Sequence, residues 1–404
     1  MRAACQHASS ARQTIELADI FRTHGGAYAR THRLDLVQWK AMRAVVQCRT
    51  AALGGHREAC SQCGYSRYRY HSCRNRNCPK CGSLAKARWL ESRQQELLPT
   101  PYYHNVFTLP HELNGLVLYS EGNRRALLGL LFRACAETLL VFGQNNLGGK
   151  LGFTLVLHTW TQQLQAHFHV HALVAGGALA EDGSKWIDAG DKFLFPVRAL
   201  SRVFRGKYVD GVENLLREGQ LDLPPQLVPA RAQHQLLRQL RRKAWVVYSK
   251  RPFAGPRKLL DYLGRYTHRV AISNHRLLSL KDGQVEFAYR DRRDGDRKKT
   301  KKFPAEEFIH RFLKHVLPSG FMRIRHYGFL GNRAKKKALA QCRQLLGATA
   351  PEPVEPKTIA EWILLWTGED VSRCPQCGHT KLGIEEIPRP RFQTLHSAQI
   401  DDFW

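Results

Sequence analysis

Residues 166–175 read AHFHVHALVA. In a β-strand successive side chains alternate between faces, so His167, His169 and His171 line one face and Phe168, Val170 and Ala172 the other. Same-face Cα atoms lie about 6.5–7 Å apart along a strand, close enough for two imidazoles to share a divalent ion. A nearly straight row cannot easily wrap one ion, so a further ligand comes more naturally from a neighbouring element. His158 on the preceding strand-like run is one candidate, His167 another, and Gln162, Gln163 and His268 extend the set.

The flanking sequence alternates strand and helix signals. Residues 36–53 have helical periodicity, ended by Gly54-Gly55, and 83–98 read as a polar helix. Residues 103–109 read as a strand stopped by Pro110, 121–145 as a long Leu-rich helix and 151–160 as a second strand. Beyond the histidines, 231–248 and 256–267 look helical, and 276–303 read as strands around Asp282-Gly283 and Asp294-Gly295 turns. The Pro- and Glu-bearing stretch 350–357 reads as a linker. The pattern predicts an α+β sheet domain over 99–335, a helical and zinc-binding domain over 1–98, and a helical C-terminal tail with a CxxC motif over 336–404. A zinc hydrolase would be another use of a histidine row. Metallo-β-lactamase-like enzymes follow their His-x-His with Asp, whereas Ala172-Leu173-Val174 stand here, which argues against a metal-activated water.

The chain has 404 residues, with 63 Lys+Arg against 34 Asp+Glu and a formal net charge of +29. Such an excess points to a polyanion, nucleic acid or an anionic membrane. No stretch approaches 18 consecutive apolar residues, so no spanning helix and no membrane partner is expected. The N-terminal MRAACQHASSARQ lacks the apolar core of a signal peptide, so the expected location is the bacterial cytoplasm, in association with the nucleoid. In that reducing setting the 11 cysteines are expected to bind metal rather than form disulfides.

Cys60-x2-Cys63 and Cys78-x2-Cys81 are separated by 14 residues, the pattern of a four-thiolate structural Zn2+ site. Cys73 is a fifth thiol within the loop, and His56 and His71 lie near, so one of these can replace a nominal ligand. Cys374-Pro-Gln-Cys377-Gly-His379 is half of a similar site, with Cys342 and His379 as candidate partners. Arg67, Arg69, Arg74, Arg76 and Lys80 stand among Tyr65, Tyr68 and Tyr70, a mixture suited to phosphate contact and base stacking. The stretch 289–303 adds Arg290, Arg292, Arg293, Arg297, Lys298, Lys299, Lys301 and Lys302, a candidate DNA-backbone clamp. Arg323, Arg325, His326 and Tyr327 form a second basic-aromatic set.

Residues 259–270 read LLDYLGRYTHRV, which places Tyr262 and Tyr266 one helical turn apart on one face. Lys258, Arg265, His268 and Arg269 surround them, and cations favour the phenolate, whose ordinary pKa is about 10. A tyrosine can attack a phosphodiester, and a phosphotyrosine conserves the energy of the broken bond for rejoining.

The His-hydrophobic-His strand followed by Tyr-x3-Tyr resembles the HUH endonuclease superfamily. More narrowly, the chain resembles the two-tyrosine transposases of the insertion-sequence ninety-one group. The segments that carry the resemblance are CRNRNCPKCG at 73–82, VFTLPHELN at 106–114, HFHVHALV at 167–174, DYLGRYTHRVAISNHRLL at 261–278 and RIRHYGFLGNR at 323–333. The resemblance implies a central antiparallel HUH sheet flanked by helices, behind an N-terminal zinc-binding module. It implies Mg2+ or Mn2+ on His169 and His171, Tyr262 and Tyr266 as nucleophiles, and rolling-circle-like cleavage and rejoining of single-stranded DNA at element ends. Phe168 stands where the family often has Pro, on the face away from the metal. The competing readings are a replication initiator or relaxase with the same chemistry, and a zinc-dependent DNA-binding regulator without catalysis. The Cys module favours the transposase over the first, and the histidines and tyrosines are unexplained by the second.

Overall fold

The computed structural model describes residues 15–190, 194–250, 264, 271–291, 294–352, 354–380 and 382–390. It opens with helices α1 (Leu17–Thr31) and α2 (Leu36–Gln47). Their starts are fixed locally: the Glu16 N–H donates to Asp19 Oδ2 at 2.9 Å and the Asp35 N–H to Gln38 Oε1 at 3.0 Å. A hairpin of β1 (Gly55–Cys60) and β2 (Ser66–Tyr70) leads to the polar helix α3 (Gly82–Gln94).

Next come β3 (Tyr102–Thr108), the short α4 (Asn114–Tyr119), the long α5 (Glu121–Leu147), β4 (Gly149–Trp160), β5 (Ala166–Ala180) and β6 (Trp186–Asp188). Helices α6 (Val197–Arg217) and α7 (Ala230–Arg242) precede β7 (Val247–Lys250). A meander of β8 (Leu277–Lys281), β9 (Gln284–Asp291) and β10 (Arg297–Pro304) is followed by α8 (Ala305–Leu313) and β11 (Ile324–Gly328). The chain closes with α9 (Lys335–Leu345), α10 (Ile359–Thr367) and β12 (Leu382–Ile387).

The central sheet runs β11-β4-β5-β3-β7, with β6 also on β5, and its pairings are antiparallel. Alternation assigns its faces. Phe153, Leu155 and Leu157 of β4 and Phe168, Val170, Ala172 and Val174 of β5 bury against α5 and α6. His158, His169 and His171 therefore stand on the opposite face, as the sequence pattern predicts. Ser120 Oγ caps α5 by accepting from the Asn123 N–H at 3.0 Å, and Gly148 ends it in the left-handed region at φ 64°. By length and average hydropathy α5 is able to cross a bilayer, although polar residues interrupt every long apolar run. Its apolar surface is used in the core, between the sheet and α6.

A second core joins elements far apart in sequence. Leu17, Phe21 and Met42 of α1 and α2 pack with Val285 and Phe287 of β9 and with Phe308 and Phe312 of α8. Phe21 meets Phe312 edge-on, centroids 5.4 Å apart. The buried Arg124 of α5 donates to the Val316 carbonyl at 2.8 Å and reaches Asp35 at 3.3 Å, tying the two cores together.

Two expectations change. The helical reading of 231–248 stops at Arg242, and Val247–Lys250 forms the edge strand β7. The Trp245 indole N–H donates to the Leu240 carbonyl at 3.0 Å, and the Val-Val-Tyr run that follows favours an extended chain. The segment 336–404, read as a helical tail, contributes β12, which pairs antiparallel with β1 from Gly55↔Ile387 to Cys60↔Leu382. The helix expected over 256–267 lies outside the described residues, Gly264 excepted.

The RIRHYGFLGNR segment has a structural duty at its glycine. Gly328 ends β11 at φ 63°, and a Cβ there would stand 1.6 Å from the Leu151 carbonyl oxygen. The next residue, Phe329, covers Gly152 of β4. A Gly328→Ala substitution is expected to cost about 3 kcal/mol or more, since the clash is with backbone and the φ is unfavourable for alanine. Chemical denaturation of the purified variant measures it.

Candidate metal centres and the histidine cleft

The histidine site is built by register. His158 of β4 pairs directly with His169 of β5, and Val106 of β3 pairs with His171. The ligand nitrogens of His158, His169 and His171 all lie within 4.8 Å of one another. The His158 and His171 rings are 4.4 Å apart, centroid to centroid. The third member is thus the candidate on the preceding strand. His167 stands outside the group, although its ring lies 4.8 Å from that of His169, centroid to centroid, and tilted by 44°. Gln163 accepts from Lys301 Nζ at 2.9 Å, and His268 lies outside the described residues.

Hydrogen bonds set the direction of two of these rings. His169 Nδ1 lies 3.0 Å from the His167 carbonyl oxygen and can only donate to it. His171 Nδ1 lies 2.8 Å from His104 Nε2. Burial, reinforced by Lys250, pulls the His104 pKa down to about 4, so that ring is neutral and its Nε2 can accept. Both Nδ1 positions are engaged, and Nε2 is the atom that His169 and His171 would offer an ion. Such outer hydrogen bonds are how metal-binding imidazoles are held. The donor set fits a divalent ion. His104, which the sequence reading missed, is visible only through strand pairing.

The cysteines form two groups, neither of them the expected one. Cys48, Cys73, Cys78 and Cys81 converge, as do Cys60, Cys63, Cys374 and Cys377, the four sulfurs in each set lying within 4.8 Å of one another. The pairs Cys60/Cys63 and Cys78/Cys81 cannot share an ion because the β1–β2 hairpin separates them. The first turn caps its far end, whereas His71, donating to Gly54 and accepting from Arg49, brings the second back to the base. Five extended residues span roughly 17 Å. The fifth thiol, Cys73, is a member of the first set, and Cys48 at the end of α2 completes it. His56 instead pairs with Glu58 at 3.1 Å. Neither Cys342, buried in a separate apolar cluster, nor the His379 ring joins Cys374 and Cys377. Hydrogen bonds among the four thiols of the first set pull the Cys48 thiol down to about 7 and Cys81 down as well, while they push Cys73 and Cys78 up.

A cleft of about 1440 Å³ opens over the histidine face. Its walls come from the sheet (His104, Tyr248, Lys250), from the start of α3 (Ser83, Lys86), from the meander (Tyr289, Arg290, Asp291) and from Gly264. Gly264 fits closely against α3: a Cβ there would come 2.7 Å from Leu90 Cδ1. Cys78 and Cys81 immediately precede α3, so the first thiol cluster fixes a wall of this cleft. Tyr262, Tyr266, Arg265 and Arg269 lie outside the described residues, as do Arg292 and Arg293. Lys86, Lys250 and Tyr248 join the cleft without having been singled out from the sequence.

Several basic residues expected at DNA have internal partners. Arg76 donates to the Phe321 carbonyl at 2.6 Å, and Lys80 pairs with Glu16 at 2.5 Å. Lys299 bridges Asp291 at 2.8 Å and Asp294 at 3.0 Å. Arg67 and Arg69 both bind the buried Glu58. Arg325 stacks on Phe132 at 4.2 Å, and His326 lies 2.9 Å from both Thr154 and Arg93, so the 323–327 set is structural. Arg74, Lys298 and Lys302 are exposed.

Comparison with known proteins adds a lineage. A family model described as "Transposase zinc-binding domain" matches residues 20–109, and one described as "Putative transposase" matches 152–338. The chain is 48% identical over 386 residues to the "Putative transposase y4qJ" of Sinorhizobium fredii, spanning 93% of this chain and 96% of that one. It is 29% identical over 355 residues to the transposase for insertion sequence element IS801 of Pseudomonas savastanoi pv. phaseolicola, spanning 85% and 82%. Among solved structures, the conjugative relaxase TrwC in complex with oriT DNA matches 41% of this chain and 71% of its own at 14% identity, with a TM-score of 0.21, too low to carry weight. The extent of the first match, together with the two domain models, makes the chain a member of the IS91 family of transposases, with an N-terminal zinc-binding domain and a two-tyrosine HUH transposase domain.

Proposed function

We propose that this transposase cleaves and rejoins single-stranded DNA at insertion-sequence ends through a 5′-phosphotyrosine on Tyr262 or Tyr266. The observation that carries the reading is the position of Gly264, midway between those tyrosines in sequence, on the wall of the cleft that holds His158, His169 and His171. The tyrosine oxygen attacks the phosphorus, the 3′ oxygen leaves, and the 5′ phosphate stays on the enzyme. Attack on that linkage by a new 3′-hydroxyl reverses the step, so rejoining needs no external energy. Two tyrosines let one strand end be held while another is captured.

The three histidines would hold Mn2+ or Mg2+, which supplies polarisation of the scissile phosphate. An all-imidazole set favours Mn2+ of the two, because Mg2+ prefers oxygen ligands. Lys86, Lys250 and Arg290 line the route to the histidines, where they would meet backbone phosphates, and Lys298 and Lys302 are exposed on β10. Zn2+ is assigned to the cysteines and to architecture.

The test uses a labelled single-stranded element end with Mn2+, resolved on a denaturing gel. A covalent protein–DNA band is expected from the native protein and from either single Tyr→Phe variant. It is expected to vanish in the Tyr262→Phe, Tyr266→Phe double variant. Cleavage persisting in the double variant without an adduct would exclude the phosphotyrosine route.

A further inference from the structure

We propose that Cys60, Cys63, Cys374 and Cys377 bind a second Zn2+, which staples the C-terminal segment to the N-terminal hairpin. Half of this set lies outside the residues matched by the zinc-binding family model, which contains all of Cys48, Cys73, Cys78 and Cys81.

The two halves have the same local architecture although about 310 residues separate them. Each reads Cys-x2-Cys-Gly. In the first, the Gly64 N–H donates to the Cys60 carbonyl at 3.1 Å and the Cys60 N–H to the Tyr65 carbonyl at 2.8 Å. In the second, the Gly378 N–H donates to the Cys374 carbonyl at 2.8 Å and the Cys374 N–H to the His379 carbonyl at 2.8 Å. The two glycines adopt φ 73° and 75°. Facing turns of this kind present four sulfurs to one point. Cys60 Sγ lies 3.6 Å from Cys377 Sγ, and Cys63 Sγ 3.6 Å from Cys374 Sγ. A tetrahedron with Zn–S bonds of about 2.3 Å sets sulfurs about 3.8 Å apart, whereas a disulfide would need about 2.05 Å.

The sheet itself calls for such a staple. The three strands β12, β1 and β2 bury little: four of the six residues of β12 are exposed, Ile384 among them, and β2 has no buried residue. A module with so small an apolar core needs a metal or crosslink to persist. The polar contacts converge on the same junction. Arg67 of β2 donates to Glu369 at 3.3 Å and to the Val371 carbonyl at 3.1 Å, and Arg69 reaches Glu369 at 3.4 Å. These surface contacts orient the C-terminal segment, but exposed ion pairs contribute too little to hold it alone.

The proposal is independent of the cleavage chemistry and is tested without it. Native protein is treated with N-ethylmaleimide, and each cysteine is followed by peptide mass mapping before and after zinc chelation. Cys63 and Cys377 are both solvent-exposed, so without metal they should react promptly. At least tenfold protection of both, lost on chelation, is expected. Metal analysis of a Cys374→Ser, Cys377→Ser variant should show one zinc fewer per chain than the native protein. The proposal fails if Cys63 and Cys377 react equally fast before and after chelation, or if the variant keeps the full zinc content. The labelling arm needs no variant, so it stands even if the double substitution misfolds.

Discussion

A His169→Ala variant is expected to lose DNA cleavage by about a thousandfold or more, a barrier increase of about 4 kcal/mol, while melting within a degree or so of the native protein. The contrast follows from where His169 stands. It is only half-buried, and its Nδ1 hydrogen bond is local, to the His167 carbonyl of the same strand. Its removal takes one of the three proposed metal ligands but leaves the sheet pairing and the apolar face intact. Binding to single-stranded DNA should persist, because that affinity comes from phosphate contacts by Lys and Arg. His171→Ala should differ in kind. His171 is buried and bonded at 2.8 Å to the buried His104, so its loss removes a buried hydrogen bond and costs about 1–3 kcal/mol of stability as well. Gel-based cleavage, filter binding and thermal melting on both variants separate the two effects. Undiminished cleavage by His169→Ala would remove the histidine site from the mechanism.

Cys48→Ser is expected to release one zinc per chain and to lower the melting temperature by roughly 10 °C or more. Cys48 is buried, and its sulfur stands 3.4 Å from that of Cys81. It also belongs to the core that holds α1, α2 and α8 together, alongside Cys78. A lost ligand there loosens the start of α3 and, through Leu90 and Gly264, the wall of the cleft. The substitution also discriminates between groupings. If Cys60, Cys63, Cys78 and Cys81 shared one ion, Cys48→Ser would leave the zinc content unchanged. Cys135→Ser, in the other core, is the control that should leave the metal in place.

The histidine strand was legible because period-two alternation is a local property: AHFHVHALVA states its own faces. The meander was legible for the same reason, its turns being marked by Asp282-Gly283 and by Asp294-Gly295. The cysteine partners were not. Spacing showed two C-x2-C turns close in sequence, and only the rigid hairpin between them sends them to different ions. His104 reaches the site through pairing of β3 with β5 across 67 positions, which no motif records. The basic residues misled in a similar way. Charge is visible in sequence, but the Phe321 carbonyl that engages Arg76, the Glu16 that pairs with Lys80 and the Glu369 that reaches Arg67 come from distant segments. Strand β12 was hidden because its LGIEEI run breaks the apolar–polar alternation after Ile384, and its partner lies toward the other end of the chain.

The return of β12 to β1 also imposes an order on biosynthesis. A ribosome makes Cys60 and Cys63 about 310 residues before Cys374, so at roughly 5–20 residues per second their half-site waits on the order of 15–60 seconds for its complement. The histidine sheet has a similar dependence, since its edge strand β11 is synthesised long after β4, against which it pairs. A nascent chain therefore carries much of its positive charge before it carries a finished transposase domain. The C-terminal knuckle docks last, and a product terminated early would lack both the staple and the strand it secures.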